Sequence, residues 1–137
     1  KKKVTLLGWA FKKNTNDSRE SAAIYVADVL LAEGAEVHVY DPMVKEGRIR
    51  QDLTTLWDAT NGSRDEIASK LERCVVHIDH KTAIENSFAL AILTEWDEFK
   101  SYDWKAIAEK MMQPAKVFDG RNILRESEFI NQYFIGK

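Results

Sequence analysis

The sequence has one cysteine, almost no net charge and no long apolar run, and each shortage excludes a class of protein. Cys74 is the single cysteine in 137 residues, so the chain can form neither an internal disulfide nor a zinc site. Twenty basic and twenty-two acidic residues give a net charge of −2, which argues against general nucleic-acid binding. No apolar run approaches the roughly 18 residues that span a bilayer. A lone cysteine suits a reducing compartment, so we expect a cytoplasmic protein. From the charge and the short apolar runs we expect no contact with nucleic acid or membrane.

The chain has the length of one domain and no linker of low complexity, so we expect residues 1–137 to form a single domain. The first residue is Lys1 rather than Met, and an apolar strand pattern begins within three residues of it. We therefore expect this chain to be a fragment of a longer protein.

Short apolar segments alternate with helical patterns, and this alternation predicts the fold class. Strands are predicted at 4–7, 36–40, 75–78, 88–93 and 116–118, and helices at 63–72, 81–86 and 103–112. Asp17 and Glu20 predict a capping box that starts another helix, and Gly34 its end. Residues 43–50 are predicted to be a loop, and 126–134 a helix and then a strand. The pattern is typical of an α/β fold: a Rossmann-like, doubly wound, mostly parallel sheet flanked by helices.

Ligands of such sheets bind at the carboxyl ends of the strands, so the segments that follow the strands are the informative ones. Gly8 follows the first strand, but no G-x-G-x-x-G motif surrounds it, so the usual dinucleotide fingerprint is absent. Lys12, Lys13 and Arg19 lie instead before the predicted helix, where cations and free N–H groups attract phosphate. The alternative is a solvated basic loop in which Arg19 pairs with a nearby carboxylate.

Two further strand ends carry polar candidates. Asp41 ends the second strand, where an acid often binds a ribose hydroxyl, but without the glycine motif an Asx turn is the favoured interpretation. Arg121 follows the last strand, where a guanidinium can hold a phosphate with two hydrogen bonds. The alternative is a structural turn in which Arg121 pairs with Asp119. Arg121 and Lys12 are expected to face the same crevice.

Glu95 follows the apolar strand 88–93, at the position of an acid or base. The favoured alternative is that Thr94 caps a short helix there and that Trp96 and Phe99 pack in the core.

Four linked motifs occur in order along the chain, and together they resemble the C-terminal, UDP-binding domain of the UDP-glucose/GDP-mannose dehydrogenase family. They are Gly8-x-Ala10-Phe11-Lys12-x-x-Thr15-x-Asp17-x-Arg19-Glu20-Ser21, Tyr40-Asp41-Pro42, Thr94-Glu95-Trp96 and Phe118-Asp119-Gly120-Arg121-Asn122. That family oxidises a nucleotide sugar to the uronic acid in two NAD-dependent steps, with UDP-glucose the favoured substrate here. The resemblance implies that the NAD-binding domain and the catalytic cysteine lie outside this chain, which is then inactive alone.

The resemblance also implies residue roles. Phe11, Lys12 and Arg121 would contact the nucleotide sugar, and Arg19 would reach the NAD side of the interdomain cleft. Asp17 and Glu20 would organise the loop and the start of the helix. No catalytic residue and no metal ligand is expected in this chain, and the full-length enzyme is expected to be a homo-oligomer.

Several features depart from the family pattern or leave alternatives open. Trp9 stands where a different apolar residue is common, and residues 43–75 match weakly, so no ligand role is carried there. Cys74 lies in no family motif and is expected to be a buried small hydrophobe. UDP-N-acetylmannosamine and GDP-mannose remain alternative substrates. A non-catalytic interaction domain that presents Trp96 and Phe99 to a partner is the alternative from another class.

Overall fold

A computed structural model describes residues 1–124 and the strand at 133–135, and it confirms the predicted fold class. Six strands form one sheet in which every described pairing is parallel, in the order β3-β2-β1-β4-β5-β6. The strands are β1 (Lys3–Leu7), β2 (Glu36–Tyr40), β3 (Cys74–Val76), β4 (Ala89–Ile92), β5 (Lys116–Asp119) and β6 (Tyr133–Ile135). The helices are α1 (Ala22–Ala32), α2 (Glu46–Ala59), α3 (Arg64–Glu72), α4 (His80–Ile84), α5 (Asp97–Lys100) and α6 (Trp104–Lys110).

β1 and β4 lie at the centre of the sheet, as the apolar run 88–93 predicted. Their inner residues are almost completely buried, among them Leu6, Leu7, Leu90 and Ile92. Strands buried on both faces need helices on both sides, and the described connections from β1 to β5 supply such helices. The point where the strand order reverses lies between β1 and β4. The carboxyl ends of these two strands therefore form the edge where a ligand crevice is expected.

The start of α1 differs from the prediction. The helix begins at Ala22, and Ser21 is its N-cap, with a hydroxyl that accepts the N–H of Ala23. Asp17 and Glu20 form no capping box, because the backbone of Glu20 has a φ of 58°, outside the helical region. The residues between Gly8 and Ser21 are thus one long connection, which we call the β1–α1 loop.

The predicted loop at 43–50 is also wrong, since α2 runs through it from Glu46. Ile49, Leu53 and Trp57 recur every four residues and are at most 3% exposed, so a single apolar stripe attaches this charged helix to the core. The apolar stripe was missed in the sequence because charged residues surround Ile49.

The remaining elements follow the predictions with small shifts. Ser63 caps α3 and Glu66 completes the capping box, as predicted. Strand β3 ends at Val76 rather than 78, and Ile78 is 99% exposed. The helix at 103–112 spans only α6, with Asp103 as its N-cap. The predicted tail strand corresponds to β6, whereas the tail helix lies outside the described residues.

None of the helices within residues 1–124 is long and apolar enough to cross a bilayer.

Candidate functional site

The β1–α1 loop carries three of the four predicted ligand residues, and contacts from other strand ends hold it. Asp41, directly after β2, accepts the backbone N–H groups of Trp9 at 2.6 Å and Ala10 at 2.9 Å. Thr94, two residues after β4, donates its hydroxyl to the carbonyl of Ala10 at 2.7 Å. The loop is therefore fixed at its first residues by side chains from the two strands that flank β1.

Asp41 is structural, in agreement with the favoured interpretation. It is 7% exposed, and its other contacts are the N–H groups of Met43 and Val44 and the indole Nε1 of Trp96. Its two oxygens thus accept five N–H groups from protein, so they are not available to a ribose hydroxyl.

Gly8 is required by close packing rather than by a phosphate. Its φ is 101°, and a Cβ built there would lie 2.5 Å from the Thr94 side chain. Only glycine lets β1 end against Thr94 in this conformation. Thr94 thus contacts the β1–α1 loop instead of capping α5, whose N-cap is Trp96.

Arg121 joins the last strand end to the same loop. Its Nε donates to the carbonyl of Leu93 at 2.9 Å, and its Nη2 donates to the carbonyl of Phe11 at 3.1 Å. Its Nη1 lies 3.4 Å from Oε1 of Glu95, a buried oxygen that has no hydrogen bond among the described residues. The Arg121 side chain is one-third exposed. The guanidinium therefore lies beside the segment that contains Phe11 and Lys12, with part of its surface free for a ligand.

The turn that presents Arg121 is built by Asp119, which is fully buried. Its carboxylate accepts the backbone N–H groups of Arg121, Ile123 and Leu124. The structural alternative for this motif is thus correct for the Arg121 backbone, whereas the guanidinium itself bonds to other partners.

Phe11 and Lys12 project from the middle of the loop. The N–H of Phe11 donates to the carbonyl of Asp17 at 2.7 Å, while its ring is 49% exposed. Lys12 is exposed and forms no ion pair within residues 1–124. The neighbouring Lys13 pairs with Asp97 on α5 at 3.3 Å. Lys12 is therefore the lysine of this loop whose charge is left for an anion.

Arg19 lies at the far end of the loop and is bound to Asp17. Its guanidinium donates twice to that carboxylate, at 3.1 and 2.9 Å, and the side chain is 79% exposed. Hydrogen bonds from Arg19 lower the pKa of Asp17 to about 2. This is the ion pair that the solvated-loop alternative described, and it keeps Arg19 at the surface.

The structure does not bring all four predicted residues into one concavity. An open groove of about 930 Å³ lies between α1 and α2, and Phe11 and Arg19 line it with Tyr25 and Arg48. Arg121 instead meets Phe11 through the main chain, outside this groove. The ring of Phe11 and its carbonyl thus belong to two adjoining parts of the site.

Sequence reasoning missed Asp52 on α2. Its carboxylate accepts the indole Nε1 of Trp9 at 2.9 Å and the hydroxyl of Ser18 at 2.5 Å. A buried tryptophan needs a partner for its N–H, so Trp9 was the one available signal that an acceptor lies nearby.

Trp96 and Phe99 are core residues, at 7% and 0% exposed, so they form no partner surface. This excludes the version of the interaction-domain alternative that relied on them. Cys74 is 1% exposed, and burial raises the pKa of its thiol to about 11, as expected for a structural cysteine. No cluster of three metal-ligating side chains occurs among the described residues.

Comparison with known proteins follows the same lines. Residues 5–126 match the family model described as "UDP-glucose/GDP-mannose dehydrogenase family, UDP binding domain". The UDP-glucose 6-dehydrogenase of Drosophila melanogaster is 47% identical over 124 residues, which are 90% of this chain and 25% of that protein. UDP-glucose 6-dehydrogenase 1 of Arabidopsis thaliana is 45% identical over 145 residues, 99% of this chain and 30% of that protein.

Solved structures give the same fold. The UDP-D-ManNAc dehydrogenase of Pyrococcus horikoshii superposes with a TM-score of 0.70 at 25% identity, covering 98% of this chain and 25% of that one. A UDP-glucose dehydrogenase of Pyrobaculum islandicum gives 0.64 at 27% identity, with the same coverage. This chain thus spans between a quarter and a third of the length of these relatives.

Proposed function

The chain belongs to the UDP-glucose/GDP-mannose dehydrogenase family, and we propose that it is the domain that holds the UDP moiety of UDP-glucose in a UDP-glucose 6-dehydrogenase. The longer enzyme would oxidise the glucose to the uronic acid with NAD. UDP-glucose is favoured over other nucleotide sugars because two curated UDP-glucose 6-dehydrogenases are 45% and 47% identical to this chain.

The contact of Arg121 with the Phe11 carbonyl is the observation that carries the proposal. It joins the strand-end turn after β5 to the β1–α1 loop, so the three proposed substrate residues Phe11, Lys12 and Arg121 lie along one edge of the sheet. Lys12 and the exposed part of Arg121 would bind the diphosphate, and the exposed ring of Phe11 would pack against the ligand.

The domain would contribute binding and orientation rather than bond-making. A nucleotide held by its diphosphate fixes the position of the sugar in the cleft that the rest of the enzyme completes. In the best cases such positioning lowers a barrier by about 7–11 kcal/mol. No residue of this chain is proposed as catalytic, and Glu95 lies beside Arg121 with its Oε1 3.4 Å from Nη1.

This domain does not fit NAD as its main ligand. Gly8 packs against Thr94, so it does not form the pyrophosphate-binding turn of a dinucleotide site. Asp41 accepts backbone N–H groups, so it does not bind the ribose. NAD, which accepts the hydride in this family, would be bound mainly by the rest of the enzyme. Arg19, exposed at the groove, is the one residue proposed to reach it.

We further propose that the full-length protein works as a homo-oligomer in the cytoplasm and binds neither nucleic acid nor membrane. The near-neutral charge and the buried, unpaired Cys74 support this environment.

Titration of the chain with UDP, followed by calorimetry or NMR, tests the proposal. The substitution Lys12→Ala should weaken UDP binding at least about tenfold, because a charge-assisted hydrogen bond contributes about 1.5–3 kcal/mol. The matched control is Lys13→Ala. It removes the same charge from the neighbouring position, where the lysine already pairs with Asp97.

Equal effects of the two lysine substitutions would show that UDP responds only to the total positive charge of the loop. That result would contradict a direct contact with Lys12. No binding to the unaltered chain at millimolar UDP would reject a self-sufficient UDP site.

A further inference from the structure

Asp52 is one of two charged residues, with Arg48, by which α2 contacts the β1–α1 loop. Its side chain is 10% exposed, although it carries a carboxylate on a helix that is otherwise charged and solvated. Three donors surround it: Trp9 Nε1 at 2.9 Å and Ser18 Oγ at 2.5 Å on Oδ2, and Arg48 Nε at 3.0 Å on Oδ1. Arg48 Nε also lies 3.0 Å from Ser18 Oγ, so these side chains form one closed network.

The two loop contacts of Asp52 flank the proposed ligand residues. Trp9 lies two residues before Phe11, and Ser18 immediately precedes Arg19. Both are fully buried. A single carboxylate oxygen therefore joins the start of the loop to its end, on either side of the exposed segment that carries Phe11 and Lys12.

The contact depends on the chemistry of tryptophan. Trp9 is completely buried, and its indole N–H can donate to Asp52, whereas a phenylalanine of similar shape has no donor. A buried carboxylate needs such donors, because without them it would lose the hydrogen bonds that compensate for its desolvation. Trp9 and Asp52 thus satisfy each other's hydrogen-bonding groups in the interior.

We propose that Asp52 is a positioning residue for ligand binding, which acts through Trp9 and Ser18 to fix the β1–α1 loop in the conformation that binds UDP. Its role in UDP affinity rests on the proposed function, whereas its role in ordering the loop does not. The neighbouring residues at the carboxyl edge, Asp41 and Thr94, fix only the loop's first residues. Asp52 contacts both the loop's start, at Trp9, and its end, at Ser18.

A matched pair elsewhere in the chain makes the test specific. Trp57 on α2 donates its indole Nε1 to Asp28 on α1 at 2.8 Å, and Trp57 is 3% exposed. This is the same indole–carboxylate bond between the same kinds of groups, but neither residue contacts the β1–α1 loop in any contact described for residues 1–124. The substitutions Asp52→Asn and Trp9→Phe are therefore compared with Asp28→Asn and Trp57→Phe.

Two measurements separate positioning from general stability. Amide hydrogen exchange of residues 9–19 in the full 137-residue chain reports loop order without any ligand, and the indole N–H signal of Trp9 in NMR reports the bond itself. With Asp52→Asn the amide oxygen can still accept both loop donors at the Oδ2 position, but these bonds become neutral and the NH₂ group then faces the Nε donor of Arg48. We therefore expect at least about tenfold faster exchange in the loop, a shifted Trp9 indole signal and about tenfold weaker UDP binding. Asp28→Asn should leave all three unchanged even where it lowers the melting temperature. In a Trp9→Phe background, Asp52→Asn should have a smaller effect on loop exchange, because the shared bond is already gone.

The exchange result decides the proposal even if UDP does not bind. Loop exchange that responds no more to Asp52→Asn than to Asp28→Asn overturns the positioning role. Faster loop exchange with unchanged UDP affinity overturns the link to binding. If Asp52→Asn does not fold, Trp9→Phe, which removes the indole donor and some buried volume, takes its place, with Trp57→Phe as the control that loses the same volume.

Discussion

Asp41 offers the sharpest test of how the site is built, because ligand and structural roles predict opposite results for its substitution. Its Oδ2 accepts Trp9 N–H, Ala10 N–H and the indole of Trp96, and its Oδ1 accepts Met43 N–H and Val44 N–H. In Asp41→Asn, one oxygen becomes an NH₂ group that faces donors. The arrangement that preserves most bonds keeps the amide oxygen at the Oδ2 position.

The magnitude follows from the donors that this arrangement loses. Val44 is 4% exposed, so its N–H would be left buried without an acceptor, which costs about 1–3 kcal/mol. Met43 is 47% exposed, and its N–H can turn to water at smaller cost. The three bonds that remain change from charge-assisted to neutral, each weaker by about 1 kcal/mol. Because such terms are not additive, we expect a total loss of about 2–4 kcal/mol in the free energy of unfolding.

Urea unfolding followed by tryptophan fluorescence measures this loss. The control is Asp58→Asn at the exposed end of α2, which removes the same charge and should change stability by no more than about 0.5 kcal/mol. If the free energy of unfolding of Asp41→Asn falls by less than about 1 kcal/mol while UDP or NAD binding falls sharply, the structural role is refuted. Asp41 would then be assigned to the ribose.

Two further predictions concern titrating groups. Burial raises the pKa of Cys74 to about 11, so at pH 8 the folded chain should react with a thiol reagent at least about a hundredfold more slowly than the urea-unfolded chain; equal rates would contradict the buried position. Burial lowers the pKa of all three histidines, of which His38 and His77 share a hydrogen bond of 2.7 Å. Because the unfolded state then binds protons more readily, stability should be complete above about pH 6.5 and fall as the pH drops from 6.5 towards 5. Melting temperatures across this range check the slope, which should flatten in the double variant His38→Gln, His77→Gln, and a slope unchanged in that variant would assign the effect to other groups.

The sequence was sufficient for those parts of the fold that depend on local pattern. The apolar run 88–93 predicted a central strand because a strand buried on both faces reads as a near-continuous run of apolar residues. Ser63 and Glu66 predicted the start of α3, since a capping box is complete within four residues. The same reasoning failed at Asp17 and Glu20, whose spacing imitates a capping box. There Arg19 binds Asp17 and removes it from any cap.

The contacts of the site could not be predicted in this way, because they join residues far apart in the chain. Arg121 was expected to aim at a ligand, and nothing local indicated that it would also donate to the carbonyls of Leu93 and Phe11, 28 and 110 residues away. Asp52 lies in a charged segment that matched the family weakly, and its role appears only when α2 packs beside the loop. The motifs located the site, whereas the tertiary structure shows how it is held.

The anchors of the β1–α1 loop explain why an irregular segment can serve as a binding surface. Asp41 follows β2, Thr94 follows β4 and Arg121 follows β5, so each of three strands places one polar side chain on the loop. This convergence is a consequence of parallel strands, whose carboxyl ends all lie at one edge. A free loop would lose conformational entropy when it closes on UDP, about 1–2 kcal/mol for each backbone residue that becomes ordered. In this domain the loop becomes ordered when the chain folds, so ligand binding does not carry this entropy cost. The proposed affinity for UDP should therefore depend as much on these anchors as on Lys12.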